Sequence, residues 1–242
     1  MQKILITTRP AVKAADGGIF SSCLRVVNCH LTRFRYRMNG DDLLESLDSF
    51  MPSTIVFTSS IASVFALKKL PPRALSGRGI YCIGDSSAAP FIAAGYSPLV
   101  PDHKDSAGLA ALVLSHSVLG QKIAVIRSTL GSDVFRKRLE AVGMEVKEIK
   151  LYSLSKSIDP AIYEYLCSRE LAGVLVTSSL EARILSGILD EIECGLNRDN
   201  IRFFAIGRPT RDELEGCGIK VSPPLGNSDV RRLVSEIEKM LC

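Results

Sequence analysis

The sequence lacks the signatures of several common enzyme and binding classes. It contains no G-x-x-x-x-G-K-[ST] loop and no G-x-G-x-x-G motif after a strand, so the usual phosphate cradles of nucleotide-binding proteins are absent. It has no G-x-S-x-G motif, which argues against a hydrolase with a serine at a strand-to-helix turn. Its three histidines, His30, His103 and His116, show no metal-ligand spacing. The sequence therefore predicts neither a metal site nor a cofactor.

Signals for membrane insertion and for disulfide pairing are missing as well. No apolar run approaches the roughly 20 residues that a membrane-spanning helix needs. The chain begins with a strand and not with a basic segment followed by an apolar one. The seven cysteines show no C-x-x-C and no paired spacing, which favours free, buried thiols in a reducing compartment. We therefore expect a soluble cytoplasmic protein without a membrane partner.

The charge pattern is only mildly basic, with a formal net charge of +4. In the segment HLTRFRYR, basic residues alternate with others, so Arg33, Arg35 and Arg37 would share one face of an extended strand. This pattern suits either a nucleic-acid patch or a solvated strand that connects two domains. We favour the connecting strand, and so expect no nucleic-acid partner.

The most informative feature present is an internal repeat. The stretch from Ile80 to Val113 is written again from Phe203 to Val234. Each copy has an apolar strand that stops at a glycine, hydroxyl-bearing residues, a helix with a second glycine at its end, a pair of prolines and a capped final helix. The N-caps predicted for the final helices are Asp105-Ser106 and Asn227-Ser228-Asp229.

The repetition extends to the rest of the chain. The segment FTSS, which ends at Ser60, is answered by VTSS, which ends at Ser179, 119 positions later. The strand that begins at Lys3 is likewise answered by one that begins at Lys122. A period near 120 residues is too long for a solenoid and indicates two similar domains.

Short strands alternate with helices in both copies, including helices expected over Ala11–Ser22 and Tyr163–Glu170. This alternation predicts α/β domains with parallel, flavodoxin-like or Rossmann-like sheets. In such sheets ligands bind beyond the carboxyl ends of the strands, where the first turns of helices expose N–H groups. Every hydroxyl cluster of the sequence falls at such a position. Ser and Thr are also favoured N-caps on structural grounds alone, so each hydroxyl has this second interpretation. Together they predict a cleft for carboxylates or phosphates.

Several motifs, in this order, resemble the uroporphyrinogen-III synthase family. They are ITTRP, FTSS, IGDSSAAPFIAAGY with the downstream DSAGLAALV, RSTLGSDVFRKRLEAVGMEVKEIKLYSL, VTSS and FFAIGRPTRDELEGCGIKV. The resemblance covers nearly the whole chain. It implies two α/β domains joined by a two-stranded connector, with residues 1–34 plus 154–242 as one domain and residues 35–153 as the other. The connector strands would lie near residues 30–37 and 149–156, so the N-terminal segment would pack with the C-terminal half.

The resemblance also implies the activity, that of a cyclising hydro-lyase. Linear hydroxymethylbilane would lose water and close into uroporphyrinogen III, with its last pyrrole ring inverted through a spiro intermediate and without metal or cofactor. The substrate carries eight carboxylates, which suits a cleft built of helix N-termini and hydroxyls. The partner implied is this polycarboxylate, and the expected state is a monomer.

Site residues follow from the resemblance by motif position. Tyr152 matches the family's functional tyrosine and would donate a proton to the departing hydroxyl, because a tyrosine with an ordinary pKa of about 10 is protonated at neutral pH. The expected substrate-binding residues are Arg9, Ser59, Ser60, Ser86, Ser87, Ser178, Ser179 and Thr210. The alternative function is a non-enzymatic two-domain protein that binds a small anion.

Overall fold

The structure is a computed structural model, and it describes residues 2–11, 21–131, 133–192 and 201–242. The helix expected over Ala11–Ser22 lies largely outside these ranges. Within them, no helix is both long enough and apolar enough to cross a bilayer. The chain divides into two compact units, which we describe separately. Unit 1 is Met1–Phe34 with Ser155–Cys242, and unit 2 is Arg35–Leu154.

The strands and helices are numbered in chain order within the described residues. The strands are β1 (Lys3–Thr7), β2 (Leu24–Asn28), β3 (Thr32–Tyr36), β4 (Thr54–Phe57), β5 (Gly79–Cys82), β6 (Lys122–Ser128), β7 (Glu145–Lys156), β8 (Leu171–Val176) and β9 (Arg202–Ala205). The helices are α1 (Gly40–Phe50), α2 (Ser60–Lys69), α3 (Asp85–Ala93), α4 (Ser106–His116), α5 (Val134–Glu140), α6 (Ala161–Leu166), α7 (Ser179–Glu191), α8 (Arg208–Gly216) and α9 (Val230–Leu241), with a 3₁₀ turn at Pro72–Ala74.

Unit 1 contains a four-stranded sheet in the order β2-β1-β8-β9, whose neighbours pair in parallel. Its central strand β1 is apolar on both faces because helices cover both faces. Ile4 and Ile6 pack into one hydrophobic cluster and Leu5 into another. All three side chains are almost fully buried. A continuous apolar run is what a parallel strand covered on both sides requires.

Unit 2 repeats this topology. Its sheet has the order β3-β7-β6-β4-β5, and the last four strands correspond in order and direction to β2-β1-β8-β9. The repeat extends to matching isolated bridges, which join Tyr81 to Leu99 and Phe203 to Val221. Two parallel α/β sheets with one strand order confirm the predicted fold class.

The two strands predicted as connectors, β3 and β7, are neighbours in the unit 2 sheet. Arg33 and Arg35 are exposed on β3, while Thr32 at its start is fully buried. The strand therefore carries its arginines toward solvent, as alternation predicts.

Local signals for helix ends were predicted correctly. Asp105 accepts hydrogen bonds from the amides of Ala107 and Gly108 at the start of α4, and Asp229 accepts one from Arg232 at the start of α9. Gly95 and Gly218 end their helices with φ values of 83° and 75°. These left-handed values are open to glycine at little cost.

Two expectations from the sequence need correction. The helix expected over Tyr163–Glu170 is instead α6, Ala161–Leu166, because the chain turns at Cys167 and enters β8 at Leu171.

Cys23 and Cys242 were expected as free thiols, but they form a disulfide. The start of β2 and the end of α9 pack together, which brings their Cα atoms to 6.4 Å, within disulfide range. Cys167 is also disulfide-bonded, whereas Cys29 and Cys82 are free and buried.

Candidate functional site

In unit 2, the hydroxyl cluster after β4 is arranged around Ser59. This residue is the N-cap of α2, and its Oγ accepts a hydrogen bond from the amide of Ala62 at 3.2 Å. The same Oγ accepts a second hydrogen bond, from the Tyr152 hydroxyl at 2.9 Å. Ser59 is therefore both a helix cap and a polar contact of Tyr152.

Tyr152 is almost fully buried, with 5% of its surface exposed. It lies beside Ser128 in the ladder between β6 and β7, because the register shifts between Arg127 and Ser128. Burial raises the pKa of Tyr152, while hydrogen bonds to Ser59 and Ser128 act to lower it. Three hydroxyls, from the end of β6, the start of α2 and the middle of β7, thus meet at one point.

Ser128 was missed by the sequence reasoning. Its only sequence signal is its place after an apolar strand, in the segment RSTLGSD. Its neighbour Arg127 is buried, with its guanidinium paired to Glu148 and 3.7 Å from Asp133. Arg127 is therefore part of an internal ion pair that supports the loop after β6.

The second hydroxyl cluster of unit 2 follows β5. Ser86 is exposed in the first turn of α3, whereas Ser87 is buried. The N-cap position of α3 is Gly84, which has no side chain to cap the helix. Ser86 is thus accessible to a ligand, while Ser87 is part of the packing of α3. Ser60, the first residue of α2, is half-buried.

In unit 1, the corresponding helices begin in the same way. Ser178 caps α7 and accepts a hydrogen bond from the amide of Glu181 at 3.2 Å. Ser179 donates to the carbonyl of Pro209 at 3.0 Å and so links the starts of α7 and α8. The N-cap of α8 is Gly207, again without a side-chain cap, and Thr210 is buried in the first turn of this helix.

Arg9 follows β1 and is half-buried. Its carbonyl accepts a hydrogen bond from the Asn28 side chain at 3.0 Å, and Asn28 ends the neighbouring strand β2. Arg9 therefore lies at the carboxyl end of the unit 1 sheet, where its motif predicts it.

A buried carboxylate lies at the same edge of unit 1, and sequence reasoning did not identify it. Glu181 is 1% exposed. Its oxygens accept hydrogen bonds from the hydroxyls of Thr8 at 2.9 Å, Thr32 at 2.9 Å and Thr177 at 2.7 Å, and from the amide of Thr177 at 3.2 Å. Burial raises the pKa of Glu181, and the threonine hydrogen bonds oppose that rise.

The expected site residues thus form separate groups at the strand ends of each unit. Unit 2 brings Tyr152 and Ser59 together and leaves Ser86 exposed nearby along the same sheet edge. Unit 1 joins the starts of α7 and α8 through Ser179. Among the described residues, no group of three or more His, Cys, Asp or Glu side chains could hold a metal ion.

Comparisons with known proteins are consistent in fold and family. A family model described as Uroporphyrinogen-III synthase HemD matches residues 19–224. The structure resembles uroporphyrinogen-III synthetase from Helicobacter pylori, with 14% identity, a TM-score of 0.62, and 99% of this chain and 100% of that chain covered.

It also resembles a mutant uroporphyrinogen III synthase from Thermus thermophilus, with 15% identity, a TM-score of 0.60, and 99% and 98% coverage. Identities this low establish the shared fold only. Among curated proteins, none matches this sequence significantly.

Proposed function

The chain belongs to the uroporphyrinogen-III synthase family of cyclising hydro-lyases of haem biosynthesis, and we propose that the strand-end residues described above carry this reaction on hydroxymethylbilane. The observation that carries the proposal is the family match over residues 19–224. It favours the synthase over the alternative of a non-enzymatic anion-binding protein.

The substrate's carboxylates are proposed to bind at the first turns of the helices that follow the strands. Helix N-termini carry a partial positive charge and N–H groups without intrahelical partners. Helices α3 and α8 follow Gly84 and Gly207, and no side chain caps either of them in the structure described. Their first turns therefore suit carboxylates, with the hydroxyl of Ser86 as an added donor and Arg9 as a cation.

The remaining hydroxyls are proposed to act mainly by shaping these first turns. Ser87 and Thr210 are buried, so their substrate contact would be indirect unless the turn shifts on binding. Ser60 and Ser178 are half-buried and can donate to a carboxylate from the edge of their unit. Ser179 can do so only by giving up its bond to the carbonyl of Pro209.

Protonation of the leaving hydroxyl is proposed to pass through two protein hydroxyls. Tyr152 donates to Ser59, and both hydrogen bonds that Ser59 receives use its oxygen as acceptor. Its own hydrogen can then point to the substrate. Ser59 gives this proton to the departing hydroxyl, and Tyr152 passes its own proton to Ser59. Water then leaves, while the pyrrole nitrogen supplies electrons to the carbon that has lost the hydroxyl. Attack by the substituted ring carbon forms the spiro bond, and the bond from that carbon to its original methylene group then breaks. This methylene group bonds to the free carbon of the same ring, which loses its proton and so restores the balance.

Orientation is proposed to contribute more than the acid. The protein must hold the chain ends so that the substituted carbon of the last ring attacks, giving the spiro intermediate. Fixing two reacting ends in this way can contribute about 7–11 kcal/mol in favourable cases.

We further propose that the protein works as a cytoplasmic monomer. In a reducing compartment Cys23 and Cys242 would be a nearby pair of thiols.

One assay tests the function. Fresh hydroxymethylbilane is incubated with the protein, the product is oxidised, and the porphyrin isomers are separated by chromatography. We expect the type III isomer. Type I alone, as in a control without protein, would leave a binding protein as the better explanation.

The proposed binding residues are tested in the same assay. Arg9→Ala and Ser86→Ala should each raise KM by about tenfold to a hundredfold, as expected for loss of a hydrogen bond to a charged group. Arg231→Ala, at an exposed position on α9, is the matched control and should leave KM unchanged. Wild-type KM in both test variants would remove these two residues from the site.

A further inference from the structure

Glu181 joins three separate segments of unit 1 through one carboxylate. Thr8 follows β1, Thr177 follows β8, and Thr32 starts β3, and all three donate their hydroxyls to it. The amide of Thr177 also donates to the Thr8 hydroxyl at 3.2 Å. The ends of β1 and β8 are thereby fixed to each other as well as to the helix that carries Glu181.

The residues next to these threonines are the proposed substrate contacts. Thr8 precedes Arg9, and Thr177 precedes Ser178. We propose that Glu181 is a positioning residue for the reaction, which sets the places of Arg9 and Ser178 at the edge of the unit 1 sheet. This inference rests on the proposed function, because it assumes that these two residues contact the substrate.

The internal repeat shows that a helix of this kind does not require the carboxylate to form. In unit 2 the helix α2 begins with the same N-cap, and Ser59 accepts from the third residue of that helix, Ala62. In unit 1, Ser178 accepts from the equivalent residue, which is Glu181. Both positions are buried, and one holds a methyl group. The capped strand-to-helix turn is therefore built without a carboxylate in one copy.

Burying the carboxylate of Glu181 also costs free energy. Removing an ionised group from water disfavours folding unless hydrogen bonds replace the lost hydration, and apolar residues often fill such a position at least as well. The three threonines and one amide supply these hydrogen bonds. What the carboxylate adds over an alanine is a fixed geometry for three chain segments, and this geometry is what Arg9 and Ser178 need.

The test compares four variants by steady-state kinetics with hydroxymethylbilane and by the ratio of type III to type I product. Glu181→Ala removes the common acceptor. Glu181→Gln keeps one oxygen for Thr8 and Thr177, and its amide can donate to the Thr32 hydroxyl, which can also accept. Thr8→Val removes one hydroxyl at constant shape. Ile188→Ala, buried in the same helix about two turns beyond Glu181, is the control for lost stability.

We expect Glu181→Ala to raise KM about tenfold or more and to lower the share of type III product, because small displacements of binding groups are costly. Glu181→Gln should stay within about threefold of wild type, as expected when no buried partner is left unpaired. Ile188→Ala should lower only the apparent kcat, in proportion to the folded fraction. Thr8→Val should raise KM in the wild-type chain but not in Glu181→Ala, which would show that the two residues act together.

A wild-type KM and isomer ratio in Glu181→Ala would overturn the proposal. A lower apparent kcat alone in Glu181→Ala, as expected for Ile188→Ala, would overturn it too. If Glu181→Ala does not fold, Thr8→Val decides against the Ile188→Ala control, because a raised KM supports positioning and a wild-type KM overturns it. Arg9→Ala separates the two proposals. An effect of Arg9→Ala without one of Glu181→Ala refutes this inference alone, whereas no effect of Arg9→Ala removes Arg9 from the proposed site.

Discussion

Removal of the Tyr152 hydroxyl is the sharpest test of the proposed acid. In Tyr152→Phe the ring remains in its buried place, and the hydrogen bonds to Ser59 and Ser128 are lost. Each buried hydrogen bond contributes about 0.5–1.5 kcal/mol, so the free energy of unfolding should fall by about 1–3 kcal/mol. A positioned general acid contributes about 10²- to 10⁴-fold to a rate. We expect a fall in kcat of about 10²-fold, because Ser59 can still donate to the leaving hydroxyl.

KM should not change in Tyr152→Phe, because a side chain that is 5% exposed has little surface to offer a carboxylate. The assay is the initial rate of type III formation over a range of substrate concentrations, with unfolding followed separately in urea. Tyr81→Phe is the matched control, since Tyr81 lies in the same unit and is equally buried. It should keep the wild-type kcat. A wild-type kcat in Tyr152→Phe would refute the role of this hydroxyl.

The pH dependence of kcat provides a second test of Tyr152. Burial raises the pKa of Tyr152 above its usual value near 10, so the proton-carrying form persists through the neutral and mildly alkaline range. The wild-type kcat should therefore not decline between pH 7 and about pH 9 because of this group. A titration of kcat in that range that disappears in Tyr152→Phe would contradict a raised pKa.

Two further predictions concern stability. Glu238 accepts hydrogen bonds from Ser22 and its neighbours, which lower the pKa of this carboxyl from 4.5 to about 2. This stabilisation is present above pH 4.5 and is lost as the pH falls toward 2, so Glu238→Gln should flatten the decline of the urea midpoint in that window. Gly131→Ala should destabilise by about 1–3 kcal/mol, because its Cβ would lie closer than 3.0 Å to the buried guanidinium of Arg127.

Each stability prediction has a control. For Glu238→Gln it is Glu236→Gln, on the same helix but paired with the exposed Arg232, which should leave the acid decline intact. For Gly131→Ala it is Gly187→Ala, in the middle of α7 with no atom within 4 Å of the added carbon. This change should stabilise by about 0.5–1 kcal/mol through helix propensity. Equal effects of the two glycine changes would argue against a clash with Arg127.

Local features of the site were predictable from sequence, and long-range ones were not. Ser59 and Ser178 could be recognised as helix starts because a cap bonds to residues three positions away. The family resemblance pointed to Tyr152, but its contact with Ser59 spans 93 residues and Ser128 was overlooked. Ser128 meets the tyrosine only because of a register shift between two strands.

The Glu181 cluster shows why sequence patterns do not predict long-range contacts. Its carboxylate meets hydroxyls 173 and 149 residues away, and in the sequence Glu181 is one acidic residue in an amphipathic helix. The Cys23–Cys242 disulfide joins residues 219 apart, with no spacing pattern to suggest it. Such pairs depend on which strands are neighbours, and the chain order of the strands does not give their order in the sheet.

The strand order of unit 1 has a consequence for synthesis on the ribosome. Strands β1 and β2 emerge first, but β1 pairs on its other side with β8, which is made roughly 160 residues later. Because translation proceeds at about 5–20 residues per second, the apolar segment KILIT is without its partner β8 for about 8–30 seconds. During this time the whole of unit 2 is translated and is free to fold. Strand β1 thus completes its native pairing late, and a nascent chain arrested before β8 would expose one edge of this apolar, aggregation-prone strand.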